Sequence, residues 1–287
     1  MSLEKLSLPP ENNYIACFLT LDCNLRCEYC INNFNSVNEF SFPIISGKDW
    51  VRGLNRILTR SDIPITLQGG EPSMHPDFIW IINNLKNGLN IDILTNLCFD
   101  TDDFMLNVDP KRLKRNAPYA NIRVSYHPVE MDLDRIIRDV LKLQNKGYSV
   151  GIYGILHPQY KKDILDAQEI CQKKGIDFRT KEFLGEFEGK LYGTFGYKEA
   201  VYGNKKRKCL CRSSDLIIAP NGNIYRCHHD LYKQFPPIGN ILDSELKVDY
   251  KFIECCEYGD CNPCDVKVKT NRFQVFGHTS VETKDIE

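Results

Sequence analysis

The stretch "YIACFLTLDCNLRCEYC", residues 14–30, decides how the rest of the chain is read. Its first part, Tyr14–Thr20, is short, apolar and rich in β-formers, as a buried parallel strand should be. Directly after it come Cys23, Cys27 and Cys30, with three residues and then two between them. Structural zinc takes four protein ligands, and a fully ligated iron–sulfur cluster takes four cysteines. Three thiolates therefore leave one iron of a cubane cluster open, or they borrow a distant zinc ligand such as His75 or His127. The spacing alone allows both.

Five further strand-like runs follow: Ile63–Gln68, Asn90–Thr95, Asn121–Tyr126, Tyr148–Leu156 and Ile176–Phe183. Helical patterns separate them. Asp132 or Asp134 caps a helix that stops at Gly147, and Ile164, Leu165, Ala167 and Ile170 mark another that ends near Gly175. Asp49–Leu58, Pro76–Leu85 and residues 102–115 read as helical too. Six strands alternating with helices predict right-handed βαβ units in a parallel sheet. Six units are too few for a closed eightfold barrel, so the expectation is a partial (β/α)6 barrel of the TIM type over residues 1–184. In such sheets chemistry collects at the carboxyl ends of the strands, where the cysteine triplet falls. Residues 185–208, glycine- and aromatic-rich without a clear period, read as a linker or lid. A cysteine-rich module over 209–287 opens with "DLIIAPNGNIYRC", a hairpin around Pro220-Asn221-Gly222.

Composition narrows the function. Acidic side chains number 38 and basic ones 37, so net charge gives no reason to expect nucleic acid or an anionic membrane. The one basic run, Lys205 to Lys208, reads as solvated. There is neither a signal peptide nor a run long enough to cross a bilayer, so a cytoplasmic location is expected. In a reduced compartment 13 cysteines point to metal or cluster ligation rather than disulfides. Cys17, Cys98 and Cys171, in or near apolar elements, read as small hydrophobes.

Cys23-x3-Cys27-x-Tyr29-Cys30 resembles the signature of the radical S-adenosylmethionine (radical SAM) superfamily, including the aromatic residue before the last cysteine. Gly69-Gly70-Glu71-Pro72, after the second strand, resembles that family's GGE motif, which there meets the methionyl amino group of SAM. The resemblance implies a [4Fe-4S] cluster on Cys23, Cys27 and Cys30 whose open iron chelates SAM. It also implies reductive cleavage of SAM to a 5′-deoxyadenosyl radical, hydrogen abstraction from a substrate carbon, and an electron donor such as flavodoxin or ferredoxin. Further cofactor contacts implied are Tyr29, Asn96 at the third strand end, Ser125 at the fourth and Gly154 on the fifth. His157 stands where that fifth-strand motif often has an acid. Arg179 and Lys181 on the sixth strand would face SAM or substrate.

The later cysteines, with Cys211, Gly222 and Cys227 followed by Cys261-x2-Cys264, resemble the SPASM/Twitch auxiliary-cluster module. That implies a second [4Fe-4S] cluster on Cys211, Cys227, Cys261 and Cys264, with Cys209 as alternate; a zinc knuckle is the other chemistry four cysteines allow. Cys255 and Cys256 are candidate hydrogen-atom donors, as in epimerases of the superfamily, or spare ligands. His228, beside Cys227, either lines the pocket or lies in solvent.

Full ligation of a second cluster favours electron transfer, and so dehydrogenation of a small alcohol or sugar-type metabolite. Peptide thioether or carbon–carbon crosslinking and epimerisation are the alternatives. The short segment before Cys23 counts against a leader-binding domain, and the C-terminal "TSVETKDIE" lacks the glycine-rich tail of molybdopterin-precursor cyclases. A non-catalytic zinc- or cluster-binding protein is the remaining class.

Overall fold

The protein is described by a computed structural model covering residues 3–30, 42–201, 203, 206–270 and 275–286. Six parallel strands run in sequence order across it: β1 (Tyr14–Thr20), β2 (Ile65–Gly69), β3 (Ile91–Thr95), β4 (Ile122–Tyr126), β5 (Val150–Leu156) and β6 (Phe178–Glu182). Between them lie α1 (Gly47–Leu54), α2 (Phe78–Asn84), α3 (Thr101–Asn107), α4 (Leu133–Asn145) and α5 (Lys161–Lys173). This is the partial (β/α)6 barrel expected from the sequence.

The strands have two faces with different jobs. Ile15, Cys17 and Leu19, then Ile65, Leu67, Ile91, Ile93, Ile122, Val124, Val150 and Ile152, pack against Trp50, Ile81, Phe104, Ile136, Val140 and Ile164 of the helices. Alternate residues point the other way, as a period of two requires. Phe18, Gln68, Leu94, Arg123, Ser125, Ile155 and Lys181 line a cavity on that inner face. Local signals end the helices as predicted. Asp132 caps α4 by accepting from the Asp134 N–H, and the turn after α4 uses Gly147 at φ 101°.

Two expectations need correction. The helix over 49–58 stops at Leu54, because Arg56 is buried and spends its guanidinium on the carbonyls of Glu4, Ile241, Asp243 and Ser244. Ile57–Leu58 then pairs in parallel with Leu6–Ser7. The stretch 185–208 holds a hairpin, Gly185–Phe187 with Lys190–Tyr192. Its two turn residues, Glu188 and Gly189, both have positive φ (49° and 72°), the geometry a two-residue hairpin favours. The basic run is solvated as expected: Lys206 and Arg207 are exposed and ion-paired at the surface, with Glu257 and Asp260 and with Asp285 respectively, and Lys205 lies outside the described residues.

Nor does the main sheet stop near residue 184. After β7 (Arg207–Ser213), strand β8 (Asp215–Ile218) pairs in parallel with β1, and the predicted hairpin continues through β9 (Asn223–Tyr225) to β10 (Gly239–Asn240). The sheet order is therefore β10-β9-β8-β1-β2-β3-β4-β5-β6. Strand β7 instead centres a small antiparallel sheet between β11 (Ile253–Tyr258) and β12 (Val281–Lys284). Two short helices, α6 (His228–Tyr232) and α7 (Pro263–Val266), bridge the two sheets.

Candidate functional site

A cavity of about 900 Å³ opens on the inner face of the sheet. Cys23, Cys27 and Cys30 line it, on the loop that leaves β1. Backbone contact with the next strand end holds that loop. The Gly70 N–H donates to the Thr20 carbonyl (2.9 Å) and the Glu71 N–H to the Asp22 carbonyl (2.7 Å). A Cβ on Gly70 would fall 2.1 Å from the Asp22 carbonyl oxygen, so only glycine permits this approach. The Cys23 sulfur accepts from the Leu25 N–H (3.4 Å), and the Asn96 amide lies 3.7 Å from it. Burial, then the neighbouring Cys30, Glu130 and Cys23, pushes the Cys27 thiol up to about 12. Three thiols so placed, open to a cavity, suit a thiophilic metal group that would displace their protons.

The structure brings together most of the predicted cofactor residues. Tyr29, Gly69, Gly70, Asn96 and Ser125 all line the cavity. The Tyr29 hydroxyl is 3.0 Å from His127 Nδ1, and burial lowers the His127 pKa to about 4, keeping that imidazole neutral. The Tyr29 ring stacks on His157 at 5.0 Å.

Glu71 and Gly154 are placed differently. The Glu71 side chain is fully buried and turned away from the cavity. One of its oxygens accepts from the Ser73 N–H (3.1 Å), Ser73 Oγ (2.6 Å) and Thr95 Oγ1 (2.7 Å), the other from the Asn96 N–H (2.6 Å). It ties the end of β2 to the end of β3, while the two glycines line the cavity. Removing it strands four donors, of which the Thr95 hydroxyl and the Asn96 N–H are buried, at about 1–3 kcal/mol for each buried one. Glu71→Ala is thus expected to lower stability by about 3 kcal/mol or more, read as a fall in melting temperature. Gly154 faces the helices, since a Cβ there would lie 2.7 Å from Ile164 Cγ2 and 3.0 Å from Phe178; it is a packing glycine. His157 sits outside the cavity lining among Tyr29, Tyr160, Phe183 and Phe187, in an aromatic cluster.

The second thiol set lies between the small sheet and α6. Cys209 and Cys211, two apart on β7, share a face, and Cys209 stands opposite Cys255 on β11. Together with Cys227 and Cys261 they surround one small pocket with Arg226, His229 and Asp265. Cys211 donates to Cys255, which raises the Cys211 pKa and lowers that of Cys255, with Arg226 favouring the Cys255 thiolate. Burial raises Cys227 strongly and Cys261 to about 12. Such a donor set fits a fully ligated iron–sulfur cluster, with Arg226 offsetting its charge.

Two cysteine assignments change here. Cys264, expected among these ligands, lines the large cavity, whereas Cys209 and Cys255 join the pocket. Cys256, on the other face of β11, is exposed and outside both cavities, so neither hydrogen-donor candidate faces the substrate space. Cys209 was expected only as an alternate to Cys211; the Cys-x-Cys spacing, which puts both thiols on one face of a strand, is the signal that would have grouped them. Asp265 carried no signal at all. It is buried, accepts from the His228 and His229 N–H groups and lies 2.7 Å from His228 Nδ1; burial raises its pKa, but His228 outweighs that and holds it low. His228 thereby stands in the wall between the two cavities.

A second electrostatic feature was invisible in sequence. Asp92 on β3, fully buried, takes both a bidentate contact from Arg115 (2.9 and 2.8 Å) and one from Arg123 (3.3 Å). Arg179 lines the cavity and is engaged by Asp177 and the Pro118 carbonyl.

Comparison with known proteins gives the same direction. The sequence profile of the Radical SAM superfamily matches residues 18–177. A GTP 3′,8-cyclase of Clostridium perfringens (strain SM101) is 24% identical over 209 residues, covering 69% of this chain and 64% of that protein. The chain thus spans under two thirds of that relative's length. Two solved structures share the fold: anSMEcpe with bound AdoMet and a Kp18Cys peptide (13% identity, TM-score 0.55, 83% of this chain and 78% of that one) and Streptococcus suis SuiB bound to its precursor peptide SuiA (15%, 0.56, 86% and 65%).

Proposed function

This chain belongs to the radical SAM superfamily, and from that premise we propose that it oxidises a small alcohol or sugar-type metabolite by two electrons, through a Twitch-like auxiliary module. The premise carries an iron–sulfur cluster and SAM as cofactors, and no helix among the described residues is long and apolar enough to cross a membrane. Cys23, Cys27 and Cys30 would hold the SAM-binding cluster, and Cys209, Cys211, Cys227, Cys255 and Cys261 offer one thiol more than the second cluster needs. When bound, these groups supply an electron for SAM cleavage and accept one from the substrate.

One observation supports oxidation over other outcomes: the five thiols surround a single pocket behind the His228–Asp265 pair that borders the cavity. Full ligation leaves the second site no open iron for substrate, so its use is to take an electron. The bond changes balance. SAM bound at the group held by Cys23, Cys27 and Cys30 would supply the acceptor for the hydrogen atom of the carbinol carbon, the hydroxyl would give up its proton, and a group held by the pocket thiols would accept the remaining electron, leaving a ketone. The protein positions the reacting groups and excludes water: Tyr29 packs the cysteine loop, and Asn96 orients Cys23.

Anaerobic turnover with carbinol-deuterated polyols and sugars tests the reading. One deuterium in 5′-deoxyadenosine and one ketone per SAM consumed is the expected result. Labelled 5′-deoxyadenosine with a product at unchanged oxidation level would point to epimerisation and reject it. The auxiliary assignment has its own readout. Cys211→Ala/Cys227→Ala/Cys255→Ala, which leaves only two of the five pocket thiols, is expected to cut about eight irons per chain to about four, and Cys264→Ala to keep about eight.

A second reading draws on the relatives named GTP 3′,8-cyclase. Nucleotide cyclisation was disfavoured by the sequence, yet the cavity is large enough to admit a nucleotide, so GTP belongs in the same substrate screen.

A further inference from the structure

We infer that Lys181 and Lys267 form an anion subsite that holds a multiply charged oxyanion of the substrate, a phosphate or a polycarboxylate, on the β6 side of the cavity. This rests on the reading of the cavity as the substrate chamber. Lys181 projects from the inner face of β6, its ammonium 4.9 Å from the centre of the Tyr153 ring, and Lys267 enters the same cavity from the segment after α7. Among the described residues neither ammonium has a carboxylate or hydrogen-bond partner.

The other cavity cations differ. Arg26 donates to the Cys23 and Leu25 carbonyls, Arg115 and Arg123 share Asp92, Arg179 has Asp177, and Lys269 lies on Ser280 and 3.6 Å from Asp215. Even Arg123 keeps its Nε–H unpaired. Positive charge is therefore left over, and it is concentrated where β6 meets residues 267–269. Desolvation, then Arg123, Lys267 and Lys269, lowers the Lys181 pKa to about 7. Like charges gathered in a partly desolvated space destabilise one another, and an oxyanion entering between them removes that repulsion. Lysine presents a compact charge on a flexible stem, well suited to phosphate or clustered carboxylates.

The carboxylate of SAM is a poor occupant. The cysteine loop and Gly69–Gly70 follow β1 and β2, while Lys181 is on β6, four strands from β2. At about 4.8 Å per strand this is roughly 19 Å along the sheet. A negatively charged substituent anchored on β6 would instead leave the rest of the substrate reaching toward the cysteine loop.

Calorimetric titration of the anaerobically reconstituted protein with sodium pyrophosphate, and separately with tricarballylate, tests the subsite. Saturable binding of at least one is expected, weakened about tenfold or more by Lys181→Gln/Lys267→Gln, which is about 1.4 kcal/mol. Lys181→Arg/Lys267→Arg should keep binding, as should Lys247→Gln on the exposed surface. Preference for pyrophosphate identifies a phosphorylated substrate, and preference for tricarballylate a carboxylated one. No saturable binding by the unsubstituted protein, equal binding by the glutamine variant, or an equal loss of SAM affinity overturns the assignment. Assay of 5′-deoxyadenosine in the same unsubstituted samples separates the two levels: its absence strikes the enzymatic reading, whatever the calorimetry shows.

Discussion

Cys27→Ala is expected to abolish 5′-deoxyadenosine formation and to remove about four irons per chain, a whole cluster. The reason is geometric. Cys27 sits in the middle of the triplet, its loop held by the Thr20 and Asp22 carbonyls against Gly70 and Glu71, and Cys264 is the one further thiol among the described residues that lines the cavity. Loss of one ligand leaves two sulfurs of the triplet, one fewer than the three that would hold a cluster with an open iron. Stability of the metal-free chain should change by no more than about 0.5 kcal/mol, because the thiol is only partly buried and makes no core contact. Iron content, 5′-deoxyadenosine and a melting curve of the metal-free protein together check this. Retained activity would remove Cys27 from the cluster, and a collapsed melt would make the defect structural.

Asp92→Ala should have the largest effect on stability. The carboxylate is fully buried, and two guanidinium groups, Arg115 and Arg123, depend on it, with Asn121 a further donor at 3.4 Å. Removing one partner of a buried ion pair costs about 3–5 kcal/mol, since the charge left behind stays desolvated. Here two charges are left, and they repel each other and Lys181. For a chain of this size that corresponds to a melting temperature lower by on the order of 10 °C. Asp92→Asn, which keeps acceptor capacity without the charge, should fall between. A melt within 2 °C of the unsubstituted protein would mean that solvent in the cavity neutralises the arginines. Since Arg123 also borders Lys181, affinity for pyrophosphate should rise in any folded Asp92→Asn protein.

The barrel was legible because each of its strands is a short apolar run bounded by turn signals, and β1 through β6 pair in sequence order. The triplet and the two glycines were legible because short spacing needs no long-range information. What escaped was everything that depends on which face of a strand or which distant segment a residue meets. Glu71 reads as a ligand-binding carboxylate in a GGE motif, yet the chain folds its side chain onto Ser73, Thr95 and Asn96. Spacing alone groups Cys264 with Cys261, but they diverge because a helical turn at Pro263 sends them to different cavities. Cys209 and Cys255 join the second set only through antiparallel pairing of β7 with β11, a register set 46 residues apart. The surplus charge at Lys181 and Lys267 likewise appears only once their lack of acidic partners can be seen.

The most direct measurement is electron paramagnetic resonance of the anaerobically reconstituted, dithionite-reduced protein with and without SAM. Two reduced-cluster signals are predicted, one altered by SAM and one indifferent to it. Substituting Cys23, Cys27 and Cys30 together by alanine should leave only the indifferent one. A single signal unaffected by SAM, or a SAM-sensitive signal that survives loss of all three cysteines, would contradict the assignment of Cys23, Cys27 and Cys30 as the open site.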